Sequence, residues 1–202
     1  MIKGYYFITD TSLSIEGNLS DVKQALNTNV GVVQYRNKTS DTREFYEEAL
    51  ELRKMCNKAI FLINDRVDIA LAVNADGVHL GHSDLPYETA RKLLGKDKII
   101  GLTVNSIEDA LSAQDIGADY IGAAPVFVTA TKTDAGKPLG IEGLKEICEH
   151  VEIPVVAIGG INLSNARSVI NAGADAICAI SAVVTKPDVS AEVKKFQALY
   201  NL

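Results

Sequence analysis

The chain holds no tryptophan, two methionines, three histidines and three cysteines among 202 residues. Cys56, Cys148 and Cys178 are odd in number, far apart and free of any CxxC spacing. That argues against a disulfide framework and predicts reduced thiols in a cytoplasmic protein. Five prolines and no tract rich in Gly, Ser or Pro leave nothing that reads as a linker, so residues 1–202 read as one domain. No apolar run approaches the roughly 20 residues of a membrane span. Met1 to Gly4 leads into the first strand-like run without a signal-peptide pattern. A basic excess is missing too: 20 Lys and Arg stand against 26 Asp and Glu, for a net charge of -6. This excludes the broad cationic face that duplex nucleic acid or an anionic membrane requires. Small molecules are the expected partners; self-association is left unspecified.

What the chain does have is apolar content, 47% of its residues, enough to bury a full core. Short β-rich runs alternate with amphipathic stretches from end to end. Strands are predicted at 4–9, 30–35, 60–63, 77–80, 99–103, 120–123, 154–158 and 176–180. Helices are predicted at 19–28, 42–55, 65–73, 87–94, 107–116, 141–150, 165–171 and 189–199. Eight β-then-α units in so short a chain fit an α/β fold of the (β/α)8 TIM-barrel type; an open doubly wound sheet is the competing arrangement. Gly31, Gly77, Gly101, Gly122 and Gly159 fall in or beside strands, where a missing side chain allows tight packing.

The strand ends carry the chemistry. In a closed parallel barrel they all emerge on one face, so clusters scattered along the sequence converge there. After the second run, Gln34, Arg36 and Lys38 alternate with Val33 and Tyr35. Strand parity turns the polar row towards the mouth if the apolar pair packs under helices. Arg and Lys are the two cations suited to diphosphate oxygens. Asn64 and Asp65 follow the third run and Asp84 the fourth, placing two carboxylates on neighbouring strands, roughly 5 Å apart at their roots. Such a pair suits one Mg²⁺ completed by water and phosphate; helix capping is the alternative for each Asp. His79 and His82 fall on opposite faces of an extended segment, which argues against a shared metal and leaves His79 as a packed barrel residue. The 124–139 connection, with Thr129, Thr131 and Lys132, reads as a working loop. Gly159 and Gly160 after the seventh run, with Ile180 and Ser181 at the end of the eighth, form the phosphate cradle usual in this architecture.

The strings YYFITD, VQYRNK, INDRVDIALAVNADGVHLGHSDLP, GADYIGAAPVFVTATKTDAGKPLG, PVVAIGGI and AISAV, in that order along nearly the whole chain, resemble the signature segments of the thiamine phosphate synthase family. The resemblance implies a barrel enzyme, a transferase, that joins hydroxymethylpyrimidine diphosphate to a thiazole phosphate, releasing pyrophosphate with Mg²⁺. It assigns Gln34 and Asn64 to the aminopyrimidine and Arg36, Lys38 and Lys132 to the diphosphate. By the same resemblance Asp65 and Asp84 ligate Mg²⁺, while Thr129, Thr131, Gly160, Ile180 and Ser181 hold the thiazole phosphate. Thr103 stands where the family usually has serine near the diphosphate, Asn105 where histidine is frequent, His82 where glutamine is, and Ala124 where glycine is common.

Competing readings are a thiazole tautomerase of the related branch, a sugar-phosphate barrel enzyme, and a non-catalytic phosphate-binding barrel. The first two leave the basic row or the aspartate pair without a task.

Overall fold

In the computed structural model, which describes residues 2–129 and 136–201, eight parallel strands close into a barrel in sequence order. They are β1 (Gly4–Ile8), β2 (Val32–Tyr35), β3 (Ile60–Asn64), β4 (Gly77–Leu80), β5 (Ile99–Val104), β6 (Tyr120–Ala123), β7 (Val155–Ile158) and β8 (Ala176–Cys178). The helices are α1 (Asn18–Leu26), α2 (Thr42–Met55), α3 (Val67–Ala72), α4 (Tyr87–Leu94), α5 (Ile107–Asp115), α6 (Gly140–His150), α7 (Ala166–Asn171), α8 (Ile180–Val184) and α9 (Val189–Ala198). A 3-10 turn, Leu199–Asn201, follows α9. The barrel expectation holds, and the ring closes where Gly4 pairs with Ala176 and Tyr5 with Ile177.

Alternation along each strand divides the core in two. Tyr6, Ile8, Val32, Leu62, Tyr120, Val156, Ala176 and Cys178 fill the barrel interior. Tyr5, Phe7, Val33, Tyr35, Phe61 and Ile63 face outwards into the layer between strands and helices. The β2 parity is therefore as the pattern predicts: Tyr35 packs on Phe45 of α2 at 4.5 Å between ring centroids, while Gln34 turns inwards. Helix starts follow local chemistry. Asp41 caps α2 by accepting from the Arg43 and Glu44 amides, and Ser106 caps α5 through the Asp109 amide.

Several boundaries differ from expectation by one or two residues, and two of these differences bear on the mouth of the barrel. The eighth strand stops at Cys178, and Ile180 opens the short helix α8, which an unbroken apolar run had concealed. Helix α3 begins at Val67 because Asp65 takes a left-handed conformation, φ 63°, that breaks the chain direction first. Of the glycines, Gly77 and Gly101 do allow close packing: a Cβ would lie 1.9 Å from the Ile99 carbonyl and 2.0 Å from the Tyr120 ring. Gly31 does not; nothing would approach its Cβ within 4 Å.

A repeated device ties the lower rim. Asp76, Asp119 and Asp175 each follow an alanine and precede an even-numbered strand. Each donates its amide to the carbonyl of a residue on the preceding strand and accepts that residue's own amide on its carboxylate. The partners are Phe61, Ile100 and Val155, with carboxylate contacts of 2.8, 2.8 and 2.9 Å. The ring is thus stapled on the face away from the strand C-termini, where barrels keep stability apart from chemistry. Asp175→Ala, which strips the Val155 amide of its partner, is expected to lower unfolding free energy by about 1–3 kcal/mol. Urea titration should show this with catalytic rate unchanged.

Candidate active site

Eleven of the residues singled out from sequence line one cavity at the C-terminal rim: Gln34, Arg36, Lys38, Asn64, Asp65, Asp84, Thr103, Thr129, Gly160, Ile180 and Ser181. Thr131 and Lys132 lie outside the described residues.

The β2 end builds the basic wall. The Thr9 hydroxyl accepts the Arg36 amide at 2.8 Å and donates to the Arg36 carbonyl at 3.0 Å, clasping the backbone. Arg36 Nη1 then meets the buried Asp10 Oδ2 at 2.5 Å, which aims the guanidinium and leaves its other N–H groups for the cavity. Lys38 Nζ pairs with Asp65 Oδ2 across the gap to β3.

Asp65 and Asp84 form the acidic wall. The Asp65 amide donates to the His79 carbonyl at 2.8 Å, so its left-handed turn is pinned to β4. Asp84 Oδ2 accepts the Gly81 amide at 2.6 Å. Burial, followed by the adjoining Asp65 carboxylate, pushes the Asp84 carboxyl above its ordinary range, although the Gly81 amide and Lys38 act in the opposite sense. Neither Asp serves as a cap: α3 starts after Arg66 and α4 after Pro86, both without side-chain capping bonds. Two carboxylates pressed together despite their like charge form a donor set that fits a hard divalent cation. Among the described residues no group of three His, Cys, Asp or Glu side chains converges, so such a cation would complete its shell from water or ligand oxygens.

The opposite edge is made of backbone. Gly159 and Gly160 have φ of 100° and 65°. A Cβ on Gly160 would lie 2.6 Å from the Val128 carbonyl, so the turn tucks beneath the segment that follows the cis Ala124–Pro125 peptide. Ile180 and Ser181 open α8, where first-turn amides have no partner within the helix. Thr129 lies on the same cavity.

Sequence reasoning missed the layer beneath. His79, read as packing, lines the cavity and sits within hydrogen-bond distance of Tyr120 and Thr103, both at 2.9 Å. Asp10 stands two places beyond β1, much as Asp65 directly follows β3, yet its residue type alone carries no sign of the Arg36 contact. Ile8, Ser83, Ile158 and Cys178 also line the wall. Burial pushes the Cys178 thiol far up, so it is no ready nucleophile.

The model of the thiamine monophosphate synthase family matches residues 5–183. A thiamine-phosphate synthase of Methanosarcina barkeri is 54% identical over 193 residues, covering 95% of this chain and 88% of that protein. The chain belongs to the thiamine monophosphate synthase family. A second family member, the thiamine-phosphate synthase of Pyrococcus horikoshii, is 52% identical over 186 residues, with 91% of this chain and 88% of that one covered. Among solved structures, thiamine phosphate pyrophosphorylase from Pyrococcus furiosus superposes with a TM-score of 0.90 at 44% identity, over 98% of this chain and 95% of that one.

The raised Asp84 carboxyl has a consequence for stability. Between the ordinary value of 3.8 and the raised folded value, the native state binds more protons than the unfolded state, so stability falls as pH rises through that window. Asp84→Asn is expected to raise unfolding free energy at pH 7 without divalent cations by about 0.5–1 kcal/mol, and to flatten that slope. Melting curves from pH 4 to 8 check both.

Proposed function

We propose that this protein is a thiamine-phosphate synthase, a transferase that joins hydroxymethylpyrimidine diphosphate to a thiazole phosphate and releases pyrophosphate. Family membership supports the reaction class. One observation carries the assignment to this cavity: the Asp65 and Asp84 carboxylates meet Arg36 and Lys38 on one rim, facing the amide edge at Gly160, Ile180 and Ser181.

Gln34 and Asn64 orient the aminopyrimidine. Arg36, held by Asp10, and Lys38 stabilise the negative charge that grows on the departing diphosphate, and Lys132 is assigned the same task. Asp65 and Asp84 would hold Mg²⁺, which when bound neutralises charge on phosphate oxygens. The electron-rich pyrimidine stabilises the positive charge left on its exocyclic carbon, and the thiazole nitrogen then attacks that carbon. Thr129, Thr131 and the amides of Gly160, Ile180 and Ser181 hold the thiazole phosphate so that this nitrogen faces the carbon. No protein nucleophile is required. The three free thiols fit a reducing, cytoplasmic setting, and among the described residues no helix is long and apolar enough to cross a membrane.

Pyrophosphate should appear only when the purified protein, both substrates and Mg²⁺ are present. Release from the pyrimidine diphosphate alone would indicate a hydrolase, and none under any condition a binding protein. The critical variant is Asp65→Asn rather than alanine, because Asn tolerates the left-handed backbone at this position. It is expected to lower kcat by about 100-fold or more. Its unfolding free energy should shift by less than about 1 kcal/mol, since the Lys38 partner is exposed. Comparable losses in both would assign Asp65 to the fold instead.

A further inference from the structure

Beneath the cavity, polar side chains from five strands join in one line. Gln34 Nε2 donates to the Tyr6 hydroxyl at 2.8 Å, and the Tyr6 and Tyr120 hydroxyls lie 2.7 Å apart. Tyr120 is 2.9 Å from His79 Nδ1, and His79 Nε2 is 2.9 Å from Thr103 Oγ1. Gln34 and Thr103 face the cavity, whereas Tyr6 and Tyr120 are almost completely buried between them. Gly101 and Gly122 make the room: a Cβ would lie 2.0 Å from the Tyr120 ring on the first and 2.9 Å from the His79 ring on the second.

Each hydroxyl has one proton to give, so the direction of one link sets the next. With Gln34 Nε2 donating to Tyr6, the Tyr6 proton goes to Tyr120 and the Tyr120 proton to His79 Nδ1. The imidazole then carries its proton on Nε2 and donates to Thr103 Oγ1, which leaves the Thr103 proton for the cavity. Reversing any single link sets two donors or two acceptors against each other in a buried place. With a neutral imidazole, only reversal of every link, with the Gln34 amide turned over, restores the pairing. Thr103 would then offer the cavity an acceptor and Gln34 a donor. Burial also pushes both tyrosine hydroxyls above their ordinary range, so they keep their protons.

We propose that Tyr6, Tyr120 and His79 are positioning residues that couple the polarity of the two ends, so that the cavity offers an acceptor at Gln34 Oε1 together with a donor at Thr103. A ligand with an amine at one end and anionic oxygens at the other satisfies both at once. An oxo group in place of the amine sets acceptor against acceptor, and reversing the line to welcome it removes the donor from the phosphate. This inference rests on the proposed reaction for the identity of the ligand, but not for the direction of the line.

The direction is read in the protein without ligand. A variant carrying His82→Asn and His150→Asn retains His79 as its one histidine, both replaced side chains being exposed. Long-range ¹H–¹⁵N correlation is expected to show a bare Nδ1 and a protonated Nε2. Adding Tyr120→Phe keeps the ring in place and cuts the line, so both tautomers should appear. In the otherwise unaltered protein, Tyr120→Phe should reduce kcat/KM for the pyrimidine diphosphate about ten-fold, with the KM for the thiazole phosphate unchanged. A merely structural role for Tyr120 would move the melting temperature and both KM values together and would leave the tautomer alone. A proton on Nδ1 in the single-histidine protein, or a tautomer indifferent to Tyr120→Phe, overturns the proposal. The expected tautomer in a protein that releases no pyrophosphate would preserve the coupling and overturn the reaction.

Discussion

The rim as a single opening depends on the ladder between β1 and β8. Those strands are 5 and 3 residues long, respectively, and the register of Gly4 with Ala176 and Tyr5 with Ile177 turns an open parallel sheet into a ring. The β2–β3 and β3–β4 ladders set Arg36, Asp65 and Asp84 side by side, and closure of the ring brings Gly160, Ile180 and Ser181 round to the same opening. The carboxylates of Asp76, Asp119 and Asp175 secure the far rim, each through an amide of the preceding strand. The mouth is thereby free to hold groups chosen for charge rather than for packing.

The barrel interior shows the same division along its axis. Its lower layers are apolar, with Val32, Leu62, Val156 and Ala176. Near the mouth the filling becomes polar: Gln34, His79 and Tyr120 are all buried. Leaving one such group without a partner costs about 1–3 kcal/mol, so a polar layer is tolerable only if each member is paired. The line from Gln34 to Thr103 meets that condition, and the missing side chains at Gly101 and Gly122 give the rings their space. A polar layer of this kind joins the apolar core to the solvated cavity without abandoning hydrogen bonds.

Periodicity made the barrel legible because each strand alternates between two apolar environments, as Val33 and Tyr35 against Gln34 show. It failed where alternation carries no information. The run AICAIS stays apolar through the start of α8, because Ile180 packs against the core whether strand or helix. The left-handed turn at Asp65 is a backbone choice made against β4 and leaves no periodic mark. Most of the rim could be picked out by residue type, since cations, carboxylates and glycines at strand ends are conspicuous. The Tyr6, Tyr120 and His79 contacts could not, for they join residues 114 and 41 positions apart through the interior, and tyrosine in a strand reads as packing.

The charges at the mouth explain why the acidic pair and the basic row belong to one site. Among the described residues, Arg36 and Lys38 face Asp10, Asp65 and Asp84, so the carboxylates outnumber the cations. Arg36 is already matched by Asp10, and Lys38 is occupied in holding Asp65. Two unit charges 4 Å apart interact by about 4 kcal/mol at the effective dielectric near a protein surface, so these pairings consume much of the attraction available to a diphosphate. A multiply charged anion entering beside Asp65 and Asp84 needs further positive charge to enter with it. On the proposed function, a divalent cation shared by the two carboxylates would release Lys38 from Asp65 and turn the acidic wall from a repulsive surface into an attractive one. The carboxylate pair would then make binding of the proposed diphosphate conditional on the cation, a dependence that a purely basic pocket would lack.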